Sequence, residues 1–126
     1  MENRDRSILF IDDNYGEFLD TLKPQAEYKG YNLVPSETAE EGIQLLDSYI
    51  SSIDAVILDH VFPIDKMQGL DALKLIKKKY EYLPVIMLTG SESAEDIGTV
   101  VQCMKAGAYN YVGKRHLNPE YLFQLL

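Results

Sequence analysis

The chain has 126 residues, 46% of them hydrophobic and 25% charged, with 12 basic and 20 acidic side chains and a formal net charge of −8. These values are typical of one globular domain, expected to span residues 1–126, and the acidic excess argues against direct binding of nucleic acid. No apolar run has the length of a membrane span, and the single cysteine, Cys103, cannot close an internal disulfide. We therefore expect a cytoplasmic protein that does not enter a membrane.

Short apolar runs alternate with helical patterns along the chain. Residues 8–11 form the first buried-strand pattern, and the helical pattern at 14–29 contains Pro24, which predicts a kink or an early end. Residues 31–34 form the second strand pattern. Thr38 then begins a capping box that predicts the start of the second helix.

The run at residues 55–58 is the third strand pattern, and it ends at a carboxylate, Asp59. A short run of apolar residues alone is typical of a strand buried on both faces of a parallel sheet. The later elements are a helix at 70–80, a strand at 84–88, a helix from a capping-box-like start at Ser93 to about 105, a strand at 108–112 and a two-turn helix that Asn118 and Pro119 begin.

This alternation predicts an α/β fold with right-handed crossovers between parallel strands. The expected architecture is a (βα)5 flavodoxin-like three-layer sandwich, in which helices cover both faces of a five-stranded parallel sheet of order 2-1-3-4-5. In such sheets, ligands bind beyond the carboxyl ends of the strands.

Side chains capable of chemistry follow four of the predicted strands. They are Asp12 and Asp13 after the first strand, Asp59 after the third, Thr89 after the fourth and Lys114 after the fifth. Crowded carboxylates repel one another unless a cation compensates, and oxygen ligands at a half-open edge suit Mg²⁺. A carboxylate nucleophile, a divalent ion and a lysine are together typical of phosphoryl transfer.

The chain resembles the receiver domain of two-component response regulators over essentially its whole length. The resemblance rests on Phe-Ile-Asp-Asp at 10–13, Leu-Asp-x-x-x-Pro at 58–63 followed by Gly69, Met-Leu-Thr-Gly at 87–90, and Lys-Ala-Gly-Ala-Tyr-x-Tyr-Val-x-Lys at 105–114. It implies that Asp59 accepts a phosphoryl group from a histidine kinase or a histidine phosphotransfer domain. It also implies that Asp12, Asp13, Asp59 and the backbone carbonyl of Val61 hold Mg²⁺.

The same resemblance implies how the phosphoryl group is sensed. Thr89 and Lys114 would contact it, and Tyr111 would be the aromatic switch residue. The surface of the fourth helix, fifth strand and fifth helix would then change and signal to a second receiver in a homodimer, an output domain or another protein. Such a domain catalyses only its own phosphorylation and dephosphorylation and is not a conventional enzyme.

Two features near the site depart from the family pattern. Gly69 lies ten residues after Asp59, where the family has about eight, so the loop between them is longer. Arg115 follows Lys114, where the family typically has a proline in a cis bond, and a trans bond is expected here.

One other hypothesis remains open, a receiver-like interaction module that signals by binding without phosphorylation. An aspartyl-phosphate hydrolase of the haloacid dehalogenase type would need a second Asp two residues after Asp59, where Val61 stands, so the sequence argues against it. Three further features are expected to be structural: His60 as a solvent-facing loop residue, the lysine run at 77–79 as a solvated helix face, and Cys103 as a core residue of the fourth helix.

Overall fold

The structure, a computed structural model, describes residues 6–90, 97–114 and 117–126. Strands and helices alternate along the chain as the sequence predicts. The elements are β1 (Ser7–Ile11), α1 (Gly16–Tyr28), β2 (Asn32–Ser36), α2 (Ala39–Tyr49), a short 3₁₀ turn (Ile50–Ser52), β3 (Ile53–Leu58), α3 (Gly69–Lys79), β4 (Val85–Thr89), α4 (Ile97–Lys105), β5 (Asn110–Gly113) and α5 (Pro119–Gln124). Among the described helices, none is both long enough and apolar enough to cross a membrane.

The five strands form one parallel sheet in the order β2-β1-β3-β4-β5. The predicted fold class and strand order are therefore confirmed. Strand β3 lies at the centre, with Leu58 opposite Ile11 of β1 and opposite Met87 of β4. This register places the ends of β1, β3 and β4 next to one another.

The core lies on both faces of the sheet, which explains why β1 is apolar after Ser7. Leu9 and Ile11 pack in the cluster that includes residues of α2, α3 and α4. Ile8 and Phe10 face the opposite cluster, which α1 and α5 cover. All four side chains are fully buried, and each contributes roughly 1.5–3 kcal/mol to the free energy of folding.

Two predicted helix starts are confirmed by their capping bonds. Thr38 Oγ1 accepts a hydrogen bond of 3.1 Å from the backbone N–H of Glu41, at the start of α2. Asn118 Oδ1 accepts one of 3.2 Å from the N–H of Tyr121, at the start of α5. The start expected at Ser93 lies outside the described residues, as does the bond between Lys114 and Arg115.

Helix α1 continues through Pro24 to Tyr28, so the predicted early end was wrong. Leu22 and Ala26, on either side of the proline, are fully buried and hold both halves of the helix against the sheet. Pro24 itself is exposed, and so is Asp20, whose carbonyl loses its helical donor. Water can therefore satisfy that carbonyl.

The lysine run at the end of α3 is only partly solvated, which corrects the expectation for residues 77–79. Lys77 Nζ donates to the backbone carbonyls of Glu81 and Leu83, at 2.7 and 2.8 Å, and burial lowers the pKa of this lysine. Lys79 Nζ lies 2.7 Å from a carboxylate oxygen of Asp47 on α2. Lys78 and Lys79 remain exposed, so the correction concerns mainly Lys77.

Candidate phosphorylation and metal site

The pairing of β1 with β3 brings two carboxylates together at the centre of the carboxyl edge. The backbone N–H of Asp59 donates to the carbonyl of Ile11 at 2.9 Å, so Asp59 and Asp12 lie side by side just beyond their strands. Asp12 is fully buried and Asp59 is only 5% exposed, whereas Asp13 faces solvent. Burial of two neighbouring acids is costly unless positive charge or hydrogen bonds compensate.

The three carboxylates among the four predicted metal ligands form one cluster of oxygen atoms. Asp12, Asp13 and Asp59 each provide a carboxylate oxygen, and these atoms lie within 4.8 Å of one another. Carboxylate oxygens at a partly open edge are suitable ligands for Mg²⁺, which binds a few carboxylates and keeps several waters. The residues present therefore fit the cation that the sequence predicted.

The surroundings of Asp59 disfavour its negative charge. Burial, followed by repulsion from Asp12, raises the pKa of Asp59 to about 6. The Lys114 ammonium and the backbone N–H groups of His60 and Val61 act in the opposite direction, with His60 N donating to Asp59 Oδ1 at 2.8 Å. At neutral pH the carboxylate is therefore ionised, but its charge is poorly stabilised and available to a cation.

Lys114 provides the positive charge of the site. Its Nζ lies 2.6 Å from Asp12 Oδ2 and 3.5 Å from Asp59 Oδ2, and it sits 4.8 Å above the centre of the Phe18 ring of α1. Burial acts to lower the pKa of Lys114, but the bonds and charges of Asp12 and Asp59 outweigh it, so the pKa lies above its usual value. The ammonium is thus held among the carboxylates.

Thr89, the last residue of β4, presents a buried hydroxyl. The side chain is fully buried, and its oxygen has no hydrogen-bond partner among the described residues. Such a group costs about 1–3 kcal/mol relative to a paired one. Since Thr89 pairs with Gly113, the residue before Lys114, the hydroxyl and the ammonium belong to neighbouring strand ends.

Helix α3 packs directly onto the backbone that carries Asp59. The N–H of Gly69 donates to the carbonyl of His60 at 2.9 Å. A Cβ atom on Gly69 would lie 2.2 Å from the carbonyl oxygen of Asp59 and 2.6 Å from the Cα of His60. Only glycine fits here, so the longer loop before Gly69 does not separate α3 from the acceptor segment.

His60 is half-buried, and the prediction of a solvent-facing residue was wrong. Its Nδ1 lies 3.6 Å from the sulfur of Cys103 on α4, and its ring centre lies 6.2 Å from that of Tyr111 on β5. Burial lowers the pKa of His60. Cys103 is fully buried, as predicted for a core residue of this helix.

Tyr111 packs at the edge of the core cluster that includes Cys103, and its hydroxyl oxygen is buried. The resemblance implies that this ring changes position when Asp59 is phosphorylated, and here its hydroxyl oxygen is already buried without a phosphoryl group. The side chain nevertheless lies on β5 beside the strand that ends in Thr89, as expected.

The structure thus brings together five predicted side chains (Asp12, Asp13, Asp59, Thr89 and Lys114) at one edge of the sheet. Two further residues were not predicted from the sequence as part of the site: Phe18, whose ring lies under the Lys114 ammonium, and Gln68, at the start of α3. Gln68 directly precedes α3, but glutamine is not a favoured N-cap residue, so position alone gave no signal for its role.

A doubly wound parallel sheet with clustered acids, a hydroxyl and a lysine at its carboxyl edge is the arrangement expected of a receiver domain. The family model of the response regulator receiver domain matches residues 8–126. The chain therefore belongs to this family and is a response regulator receiver domain of the two-component type.

Relatives and solved structures agree with this assignment. The transcriptional regulatory protein CpxR of Escherichia coli is 36% identical over 109 residues, covering 85% of this chain but 42% of CpxR, so the chain spans less than half of that relative. A receiver domain protein from Clostridium thermocellum is 31% identical with a TM-score of 0.80, covering 95% of this chain and 90% of that one. A response regulator from Burkholderia pseudomallei, solved with a phosphorylated aspartic acid, calcium ion and citrate, is 28% identical with a TM-score of 0.79, covering 97% of this chain and 66% of that one.

Proposed function

We propose that the chain is a phosphoacceptor switch in which Asp59 receives a phosphoryl group from the phosphohistidine of a histidine kinase or histidine phosphotransfer domain. The observation that carries this proposal is the position of Asp59. It is a buried carboxylate with a raised pKa, next to two other carboxylates that could hold a metal ion and to the partly buried Lys114. The phosphorylated aspartic acid named for the Burkholderia pseudomallei relative supports the same chemistry.

In the proposed reaction, a carboxylate oxygen of Asp59 forms a bond to phosphorus as the bond from phosphorus to the donor imidazole nitrogen breaks. The leaving imidazole keeps the electron pair of that bond and takes up a proton. Lys114 and the Thr89 hydroxyl bind oxygens of the phosphoryl group as negative charge develops on them. The hydroxyl of Thr89 is suited to this role because it would give up no hydrogen bond to any described residue.

We assign the cation to Asp12, Asp13, Asp59 and the backbone carbonyl of Val61. A bound Mg²⁺ supplies neutralisation of the charge on the acids and on the transferred group. Asp13 is the exposed carboxylate of the three, so the cation would reach the site from its side. Asp12 and Asp59 are the buried ligands. The Lys114 ammonium pairs with the carboxylate of Asp12, so it balances part of the negative charge of the site without a metal.

The proposed output surface is formed by α4, β5 and α5. Three apolar side chains of α4 are exposed: Ile97, Val101 and Met104. Such a face suits a second receiver, an output domain or another protein. We propose that signalling by this chain takes place in the cytoplasm, where its kinase would act.

The first prediction tests the acceptor. Asp59→Asn should abolish acid-labile phosphorylation by acetyl phosphate and Mg²⁺, because an amide is not a comparable nucleophile. Mass spectrometry of the intact protein would measure the added phosphate. Asp20→Asn is the matched control, since Asp20 is exposed on α1 and should leave the yield unchanged.

Two results would contradict the proposal. Phosphate retained by a folded Asp59→Asn protein would show that another residue is the acceptor. A wild-type protein that binds Mg²⁺ but is phosphorylated by neither acetyl phosphate nor a kinase would favour the interaction module.

A further inference from the structure

The side chain of Gln68 makes hydrogen bonds to the backbone of the loop between β3 and α3, which is longer than in the family pattern. Its Oε1 accepts from the N–H of Phe62 at 2.9 Å, and its Nε2 donates to the carbonyl of the same residue at 2.9 Å. The Nε2 group also donates to the carbonyls of Pro63 and Lys66, each at 3.1 Å. One amide group therefore makes four hydrogen-bond contacts to a loop that has no regular secondary structure, with one Nε2 hydrogen shared between two carbonyls.

The bond to the N–H of Phe62 also orients Val61. The carbonyl of Val61 and the N–H of Phe62 belong to one peptide group, which is planar and trans. Since the N–H points at Gln68, the Val61 carbonyl must point away from Gln68. The backbone N–H of Val61 acts to lower the pKa of Asp59, so it lies close to that carboxylate. Val61 therefore lies between the acceptor carboxylate and Gln68.

The remainder of the loop is separated from the site by this arrangement. Ile64 is completely exposed, and Lys66 N donates to the carbonyl of Pro63 at 2.8 Å, which closes a local turn. The bond between Gly69 and His60 anchors the following helix. The extra length therefore bulges outward, while the segment from Asp59 to Phe62 is tied at both ends.

We propose that Gln68 is a positioning residue that sets the Val61 carbonyl in the direction required by the divalent cation before the cation arrives. This inference rests on the proposed function, because it assumes the metal site of Asp12, Asp13 and Asp59. Residues that orient metal ligands through hydrogen bonds typically change metal affinity by 10- to 100-fold when they are replaced. Gln68 would act in this way on a backbone ligand.

The test compares Gln68→Met with the wild type. Methionine has nearly the same size but offers no hydrogen-bond equivalent of the amide. In metal-free protein, the Phe62 amide should exchange with solvent at least about tenfold faster, and calorimetry should show Mg²⁺ affinity lowered about tenfold or more. Gln44→Met, at an exposed position of α2, is the matched control and should change neither quantity.

The outcomes distinguish a failure of this inference from a failure of the proposed metal site. Faster exchange at Phe62 with unchanged Mg²⁺ affinity would show that Gln68 stabilises the loop but does not affect metal binding. This result would overturn the inference and leave the metal site intact. Asp13→Ala should remove most Mg²⁺ binding. If neither the wild type nor any variant binds Mg²⁺, the metal site and this inference both fail.

If Gln68→Met does not fold, Gln68→Ala replaces it, with the same expected changes. Alanine leaves the loop room to take up water in place of the amide. An Mg²⁺ affinity of folded Gln68→Ala equal to that of the wild type would overturn the inference in the same way.

Discussion

Asp59 is an acid whose folded environment favours the protonated form. Its pKa is raised from 3.8 to about 6, first by burial and then by the charge of Asp12. Between these two pH values the folded state binds more protons than the unfolded state. The stability associated with protonated Asp59 is therefore fully present below about pH 4 and is lost as the pH rises through about 6. Above that pH the ionised carboxylate lowers the free energy of unfolding.

The second prediction follows from the direction of this pKa shift. In metal-free protein, Asp59→Asn should increase the free energy of unfolding by up to roughly 3 kcal/mol above pH 7, at about 1.4 kcal/mol for each pH unit between the two pKa values. The gain should vanish near pH 3.5, where Asp59 is protonated in both states. Urea unfolding of both proteins in a chelator, at these two pH values, measures the difference.

Asp20→Asn serves again as the control and should show no such dependence, because Asp20 is exposed. Two results would contradict this prediction: Asp59→Asn less stable than the wild type at pH 7.5, or no difference between the two proteins at either pH. Either result would show that the charge of Asp59 does not destabilise the folded protein. Addition of Mg²⁺ should reduce the advantage of the mutant, since a cation relieves the repulsion only in the wild type.

The site residues that could be predicted are those that end strands. Asp59 and Lys114 follow apolar runs, and parallel strands place their ends together, so local pattern and topology sufficed. His60 and Phe18 could not be assigned in this way. Their partners, Cys103 and Lys114, lie far away in the sequence and meet them only through the packing of α4 and β5.

At the scale of elements, the position of α3 depends on one glycine. The third prediction is that Gly69→Ala lowers the free energy of unfolding by about 2–3 kcal/mol, because the added methyl would overlap the backbone of Asp59 and His60. It should also slow phosphorylation by acetyl phosphate, since α3 must move away from the acceptor segment. Chemical unfolding and the initial rate of phosphorylation measure the two effects.

Gly16→Ala is the matched control for this change. Gly16 begins α1, and none of the described residues lies within 4 Å of an added Cβ, so alanine should be neutral or slightly stabilising. If Gly69→Ala behaves like Gly16→Ala in both assays, the close packing of α3 on the acceptor segment has no consequence for function.

Element ends were less predictable than the elements themselves. Strand β2 was predicted at residues 31–34 but runs from Asn32 to Ser36 and contains Pro35. Proline is tolerated because β2 is an edge strand, where a missing N–H can face away from the sheet. Edge position depends on the strand order, which local sequence does not reveal. The course of α1 through Pro24 likewise depends on tertiary burial.

At the scale of the whole molecule, the acceptor is connected to the proposed output surface by two routes. One runs from Asp59 through the next residue, His60, whose ring contacts Cys103 of α4 and Tyr111 of β5. The other runs through Thr89, which shares the β4–β5 pairing with Tyr111. The first contact already exists, whereas the Thr89 hydroxyl has no described partner until a phosphoryl group provides one.

The last prediction separates these routes. A phosphoryl group on Asp59 adds charge and acceptor oxygens that can draw the Thr89 hydroxyl toward them. Only a difference in affinity between the two states can shift the equilibrium, and a shift from 1:99 to 99:1 needs about 5.5 kcal/mol. Thr89→Ala should therefore still be phosphorylated, but its Tyr111 and α4 amide resonances should respond much less to beryllofluoride, a phosphate mimic, than those of the wild type.

NMR spectra of both proteins with Mg²⁺, with and without beryllofluoride, provide the measurement. Thr21→Ala, on the exposed face of α1, is the control and should respond as the wild type does. Equal responses around Tyr111 in wild type and Thr89→Ala would exclude the Thr89 route and leave the His60 contact as the connection. No response in the wild type would mean that Tyr111, whose hydroxyl is already buried, is a static core residue and that the signal leaves the site elsewhere.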